Sequence, residues 1–151
     1  MNYEIIKLDP KDYEKCANIW NMESNPERTK RWYDEIVSGK RIVFVYVENG
    51  EFIGEGALVP NNGDSDYTIP GKRVYLSRMI VKQERRNQGV GGIIIDFLCE
   101  EARRMGYEEV SLGVDKINAA ARHLYEKKGF DTVIFDGEDE YGAFFKLLKR
   151  L

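Results

Sequence analysis

RRNQGVGG (Arg85–Gly92) stands directly ahead of an apolar helical repeat, Val90, Ile93, Ile94, Phe97, Leu98, Ala102 and Met105, that closes at Gly106. Before it lies RVYLSRMIV (73–81), apolar enough for a strand buried on both faces. A glycine inside a helix costs about 1 kcal/mol relative to alanine, so Gly91 and Gly92 in a first turn need a local reason. A helix start aims unpaired N–H groups and the positive end of the helix dipole at one point. The stretch therefore reads as a phosphate cradle built from the amides of Asn87, Gln88, Gly89, Val90, Gly91 and Gly92, with Arg85 and Arg86 adding charge at its rim. Close packing of helix on sheet is the competing reading of the same glycines.

Outward from this centre the chain alternates regularly. On the N-terminal side, NYEIIKL (2–8) has β character, and Asp9 and Pro10 turn it into a helical segment from about Lys11 to Met22. Ser24, Asn25 and Pro26 cap a second amphipathic helix, 27–38, ended by Gly39. RIVFVYV (41–47) and EFIGEGALV (51–59) form a hairpin through an Asn49-Gly50 turn, and a polar loop, 60–73, follows as a segment for touching substrate. On the C-terminal side, EVSLGV (109–114) is a strand, and a helix from Asn118 to Lys128 stops at Gly129. FDTVIF (130–135) and AFFKLLK (143–149) flank an acidic turn, 137–142. The order β-α-α-β-β-β-α-β-α-β-β predicts an α/β fold with a mixed sheet and no internal repeat, in one domain spanning 1–151.

Composition excludes several classes. The 151 residues are 42% apolar with a formal net charge of -3, which gives no electrostatic case for nucleic acid. Cys16 and Cys99 are far apart, so neither a disulfide framework nor a structural zinc site is predicted, and no metal is expected. The N-terminus lacks a basic and apolar leader, and no apolar run approaches a membrane span, so a cytoplasmic protein with no membrane partner is predicted.

Two better-known phosphate loops fail on the same residues. A Walker loop ending at Gly71-Lys72 would need glycine where Asp66 stands and Ser or Thr where Arg73 stands. A dinucleotide fingerprint through Gly89 and Gly91 meets Ile94 at its last glycine. What fits is Gln or Arg, two free positions, Gly, one free position, then Gly or Ala: Arg86-Asn87-Gln88-Gly89-Val90-Gly91. This resembles the acetyl-CoA motif of the GNAT N-acetyltransferases. Downstream, Asn118 to Phe130 resembles the same family's NxxAxxLYxKxGF segment, with Ala121, Leu124, Tyr125, Lys127 and Gly129 in place. Residues from about Tyr75 to Phe130 match in order and spacing.

The resemblance implies the GNAT fold, a mostly antiparallel central sheet with helices on both faces, and an enzyme moving an acetyl group from acetyl-CoA to a primary amine by direct attack. It implies that Arg86 to Gly92 hold the CoA pyrophosphate and that the backbone of Met79, Ile80 and Val81 pairs with the pantetheine arm. Tyr125 becomes the general acid that protonates the leaving thiolate, and Asn118, seven residues before it on the same helix face, touches the pantetheine or its phosphate. As plain structure, Asn118 is an N-cap and Tyr125 a core residue. His123 lies off that face and reads as surface.

Some family members carry a catalytic Glu five residues before the Asn; here that position is Gly113. Glu55, charged between two glycines in an apolar strand, is the replacement base, expected to face a wet cleft, with an outward-facing strand residue as the other reading. Acidic Glu23, Asp64, Asp66 and Glu138 to Glu140 favour a small cationic amine as acceptor. A protein or peptide N-acetyltransferase and a non-catalytic acyl-CoA sensor stay open as alternatives, as does a homodimer.

Overall fold

Glycines at alternate positions of one strand explain how a helix comes to lie on the sheet. The computed structural model describes residues 2–151. Its strands are β1 (Tyr3–Lys7), β2 (Ile42–Glu48), β3 (Glu51–Val59), β4 (Arg73–Val81), β5 (Glu109–Asp115), β6 (Thr132–Asp139) and β7 (Gly142–Arg150). The α-helices are α1 (Pro26–Val37), α2 (Val90–Arg104) and α3 (Ala119–Lys127). They form one seven-stranded sheet in the order β1-β2-β3-β4-β5-β7-β6. Strand β4 pairs in parallel with β5, and the β1–β2, β2–β3, β5–β7 and β6–β7 pairs are antiparallel. This is the α/β architecture that the sequence predicts.

The chain divides into two compact units, the first running to Leu58 and resuming over Arg78–Leu98, the second made of Val59–Ser77 and Cys99–Leu151. In the first, Cβ atoms added to Gly54 and Gly56 would stand 2.9 Å from Ile94 Cδ1 and 2.5 Å from Leu98 Cδ1, so these glycines let α2 settle on β3. The other face of β2 and β3 packs Val43, Val45 and Ala57 against Cys16, Ile19, Trp20 and Ile36. Asn49 (φ 54°) and Gly50 (φ 77°) make the predicted tight turn, and Asn25 caps α1 by accepting from Arg28 N at 3.1 Å.

The segment predicted as a first α-helix is a 3-10 helix, Pro10–Asn18. The buried Tyr13, Cys16 and Ile19 follow at intervals of three, which is the period of a 3-10 helix.

In the second unit β7 pairs with β5 on one side and β6 on the other, from Glu109↔Arg150 to Asp139↔Gly142. The acidic stretch predicted as a turn is mostly strand, because Glu138 and Asp139 continue β6. Strand β6 ends the sheet and is largely exposed, where charged side chains are well solvated and discourage edge pairing. Among the described residues, no helix is long and apolar enough to cross a membrane.

Candidate active site

In the first unit, the turn into α2 is built on left-handed backbone. Asn87 (φ 63°) and Gly89 (φ 87°) are left-handed, and α2 begins at Val90 with Gly91 and Gly92 in its first turn. A Cβ on Gly89 would meet nothing within 4 Å among the described residues, so glycine is there for its dihedral rather than for space. The rim charges are distributed unevenly. Arg85 is ion-paired with Glu48 and donates Nε to Gln88 Oε1 at 2.9 Å. Arg86 donates Nε to Val81 O at 2.9 Å, which ties the turn to the end of β4. Gln88 Nε2 in turn donates to Glu84 O at 3.3 Å.

Strand β4 pairs with β5 only from Arg73 to Tyr75, so Met79, Ile80 and Val81 lie past the paired stretch. They are partly or fully buried, and Lys82 N beyond them donates to Ile53 O at 2.9 Å on β3.

Glu55 does not face a wet cleft. Side chains alternate along a strand; Gly54 and Gly56 look towards α2, and Glu55 looks to the opposite face. There it is 5% exposed and accepts from Trp20 Nε1 and from the Cys16 thiol. Burial pushes its carboxyl above the usual carboxylate range, against the Trp20 hydrogen bond and the charge of Arg78. Burial, followed by the Glu55 charge, raises the Cys16 thiol far beyond its ordinary value, which makes it an inert sulfur.

Sequence reading missed what surrounds Glu55. The guanidinium carbons of Arg28, Arg41 and Arg78 lie 4.9, 4.7 and 4.9 Å from the ring centre of Trp32, and Arg78 lies 4.6 Å from that of Trp20. A legible signal existed: Arg28 and Trp32 are four apart on one amphipathic helix. Trp20 also lines a cavity of about 740 Å³ together with Tyr13, Met22, Glu23, Thr29 and Lys82.

The second unit holds Tyr125 and Asn118, and they do share a helix face. Both line a cavity of about 510 Å³ with Tyr67, Tyr75, Gly113 and Lys146 among its other walls. Tyr125 is 9% exposed and packs edge-on against Phe130 at 6.0 Å. Burial, then the neighbouring Tyr75, raises its phenol above the ordinary tyrosine value, so it stays protonated in neutral solution. Asn118 caps α3, its Oδ1 accepting from Ala121 N at 3.1 Å, and His123 is exposed as predicted.

Gly113 has a local explanation. A Cβ there would lie 2.5 Å from the Tyr67 hydroxyl. Tyr67 is fixed by its ring contact with Tyr75 at 4.4 Å, by Lys146 Nζ at 4.9 Å from its ring, and by Ser111 Oγ donating to its carbonyl at 2.6 Å. The predicted acidic loop is engaged too, because Lys146 pairs with Asp64 at 2.8 Å and Asp66 at 3.0 Å.

Residues 3–130 match the model of the acetyltransferase (GNAT) family. The chain belongs to the GNAT family. An Arabidopsis thaliana protein, GCN5-related N-acetyltransferase 6, chloroplastic, is 37% identical over 122 residues, 80% of this chain and 42% of that protein. The chain spans roughly half the length of the first curated relatives it matches, 58% and 42%. Among solved structures, a PaiA N-acetyltransferase from Thermoplasma acidophilum in complex with coenzyme A superposes with a TM-score of 0.73 at 20% identity, covering 100% of both chains. The ribosomal-protein-S18-alanine N-acetyltransferase from Escherichia coli gives 0.77 at 19%, covering 99% of this chain and 94% of that one. These two likenesses establish the fold.

Proposed function

We propose that this GNAT chain is an acetyl-CoA-dependent N-acetyltransferase acting on the primary amine of a small molecule, without an acyl-enzyme. The observation that carries the reading is the turn into α2, left-handed at Asn87 and Gly89 and running straight into the glycine-rich first turn. It supports a diphosphate on the amides of Asn87 to Gly92, with Arg86 at the rim and the backbone of Met79, Ile80 and Val81 for the pantetheine arm. Acetyl-CoA would bring an activated thioester carbonyl. The amine nitrogen bonds to the acetyl carbon, the carbon–sulfur bond breaks, and Tyr125 gives its proton to the departing sulfur, leaving N-acetyl amine and free thiol. A phenol kept protonated by burial suits that role.

Cys16 and Cys99 are 0% and 3% exposed, which favours direct attack over a cysteine relay. Glu55 is reassigned from base to positioning residue, since Trp20 and Cys16 both donate to it, and the amine's proton leaves to water. The cationic acceptor expected from the acidic loop is less well supported by Asp64 and Asp66, since both are already engaged by Lys146.

Free-thiol release from acetyl-CoA across polyamines, aminoglycosides, amino acids and peptides tests the reading. With an accepted amine, Tyr125→Phe should lower kcat by about 10²–10⁴-fold at unchanged acetyl-CoA affinity. Tight acetyl-CoA binding with no thiol release from any amine would replace the enzyme by a sensor.

A further inference from the structure

Stacking holds a guanidinium by its face and leaves its in-plane N–H edge to be satisfied elsewhere. In the cluster on Trp32, Arg41 uses that edge: its Nε donates to Glu35 Oε1 at 3.1 Å. Arg28 Nε and Arg78 Nε are buried and have no hydrogen-bond partner among the described residues. Buried polar groups in folded proteins are nearly always paired, so each such orphan calls for an explanation. Charge points the same way. Three arginines gather on one indole, while the carboxylates facing them are Glu35, which also lies 3.9 Å from Arg31, and Glu55, whose oxygens already accept from Trp20 and Cys16.

Guanidinium Nε donors left unpaired beside a flat aromatic platform fit a planar oxyanion, because a carboxylate accepts charge-assisted hydrogen bonds from arginine in the plane of the guanidinium. We infer that the unpaired Nε donors of Arg28 and Arg78 bind a carboxylate carried by the acceptor amine, with Trp32 as the platform. The acceptor class is thus an amine bearing a carboxylate, of which an amino acid is the simplest case. This rests on the transferase reading above and adds the anionic half of the substrate. The cavity beside Trp20 offers room for the rest of a small amine, and the bound carboxylate would answer the excess positive charge that Glu35 and Glu55 leave.

The test exploits the two tryptophans of the chain, Trp20 and Trp32, both within the cluster, so intrinsic fluorescence reports on it directly. Three matched pairs serve as probes: lysine and cadaverine, phenylalanine and phenethylamine, 4-aminobutyrate and propylamine. Each is titrated with and without saturating CoA, and each is assayed for thiol release with acetyl-CoA. In at least one pair the carboxylate-bearing member should shift tryptophan emission saturably and exceed its partner about tenfold or more in affinity and kcat/KM. Arg28→Gln should erase most of that preference, and Arg28→Lys, which keeps the charge without the fork, should restore only part of it. Circular dichroism and thermal melting verify that both variants fold.

Equal response within every pair, preference for the decarboxylated members, no saturable response to any carboxylate, or a preference unchanged in Arg28→Gln would each overturn the inference. So would displacement of the bound carboxylate by CoA. Turnover of decarboxylated amines alone would sink the carboxylate site and leave the transferase standing. Carboxylate binding at the tryptophans without thiol release would do the reverse.

Discussion

Cations meet aromatic rings in both compact units, and two of these clusters, one around Lys146 and one around Trp32, are completed differently. Lys146, 9% exposed, lies 4.6 Å from the Phe135 ring and 4.9 Å from that of Tyr67, and its ammonium donates to Asp64 and Asp66. Its opposite charges are supplied by the chain itself. Around Trp32 the arginines are held just as closely, yet two Nε donors have no acceptor among the described residues. Self-completion marks the Lys146 cluster as part of the framework that fixes the 60–73 loop. Incompletion marks the Trp32 cluster as one that receives something from outside. Ring contacts alone would not have told them apart; the hydrogen bonds do.

Breaking the complete cluster should have the larger effect. Lys146→Met leaves Asp64 and Asp66 without their shared cation and Tyr67 without its cover. Because both aspartates can still reach water, with side chains 38% and 44% exposed, the expected loss is about 2 kcal/mol rather than the 3–5 kcal/mol of a fully buried pair. Urea unfolding midpoints at constant m-value measure it, and an unchanged midpoint would demote Lys146 to decoration.

Next in size, pH should separate the clusters by sign. The Lys146 hydrogen bond holds Asp64 below its ordinary value, so its contribution is present above the unfolded carboxylate pKa and is lost as pH falls through the folded one. Burial raises Glu55, so its contribution is present below the unfolded pKa and is lost as pH rises through the folded one. Glu55→Gln keeps an oxygen for the Trp20 indole and removes that loss. Relative to the parent it should therefore gain stability on going from acid to neutral pH, by about 1 kcal/mol for a shift of one pKa unit. If Glu55 is a positioning residue, the same variant keeps kcat within about threefold, whereas loss of a true general base would cost about 10²-fold or more. A stability difference that does not vary with pH would show that Glu55 does not titrate as described.

The smallest effect belongs to the incomplete cluster. In the absence of ligand, Arg28→Gln removes a cation–π contact and one of three like charges, so stability should stay within about 0.5 kcal/mol of the parent. A thermal melt showing a drop comparable to that of Lys146→Met would place Arg28 in the framework as well.

The frame of these clusters was readable where signals are local. Strand β4, helix α2 and helix α3 follow from apolar spacing and from glycines at Gly106 and Gly129, and the Asn25-Pro26 start of α1 follows from cap chemistry. The left-handed turn into α2 was legible too, since only a few residue types accept the backbone found at Asn87 and Gly89. What escaped depends on contacts between distant residues. The surroundings of Glu55 are set by Trp20, 35 positions earlier, and its flanking glycines, which suggested an open cleft, serve α2 on the other face. Tyr67 meets Gly113 and Ser111 only after β4 and β5 have been placed side by side, and no local pattern announces that meeting.

That last meeting restricts how the chain can change. With the Tyr67 hydroxyl 2.5 Å from where a Cβ at Gly113 would stand, and its ring pinned between Tyr75 and Lys146, the two positions form a lock. A side chain installed at 113 while the phenol remains forces Tyr67 to shift, but a smaller residue at 67 opens the space first. Of the two orders in which the pair could be exchanged for a small residue at 67 and a carboxylate at 113, one passes through a strained intermediate and the other through a merely loosened one. Whether by mutation or by design, the accessible route to a strand-borne acid in this protein begins in the loop.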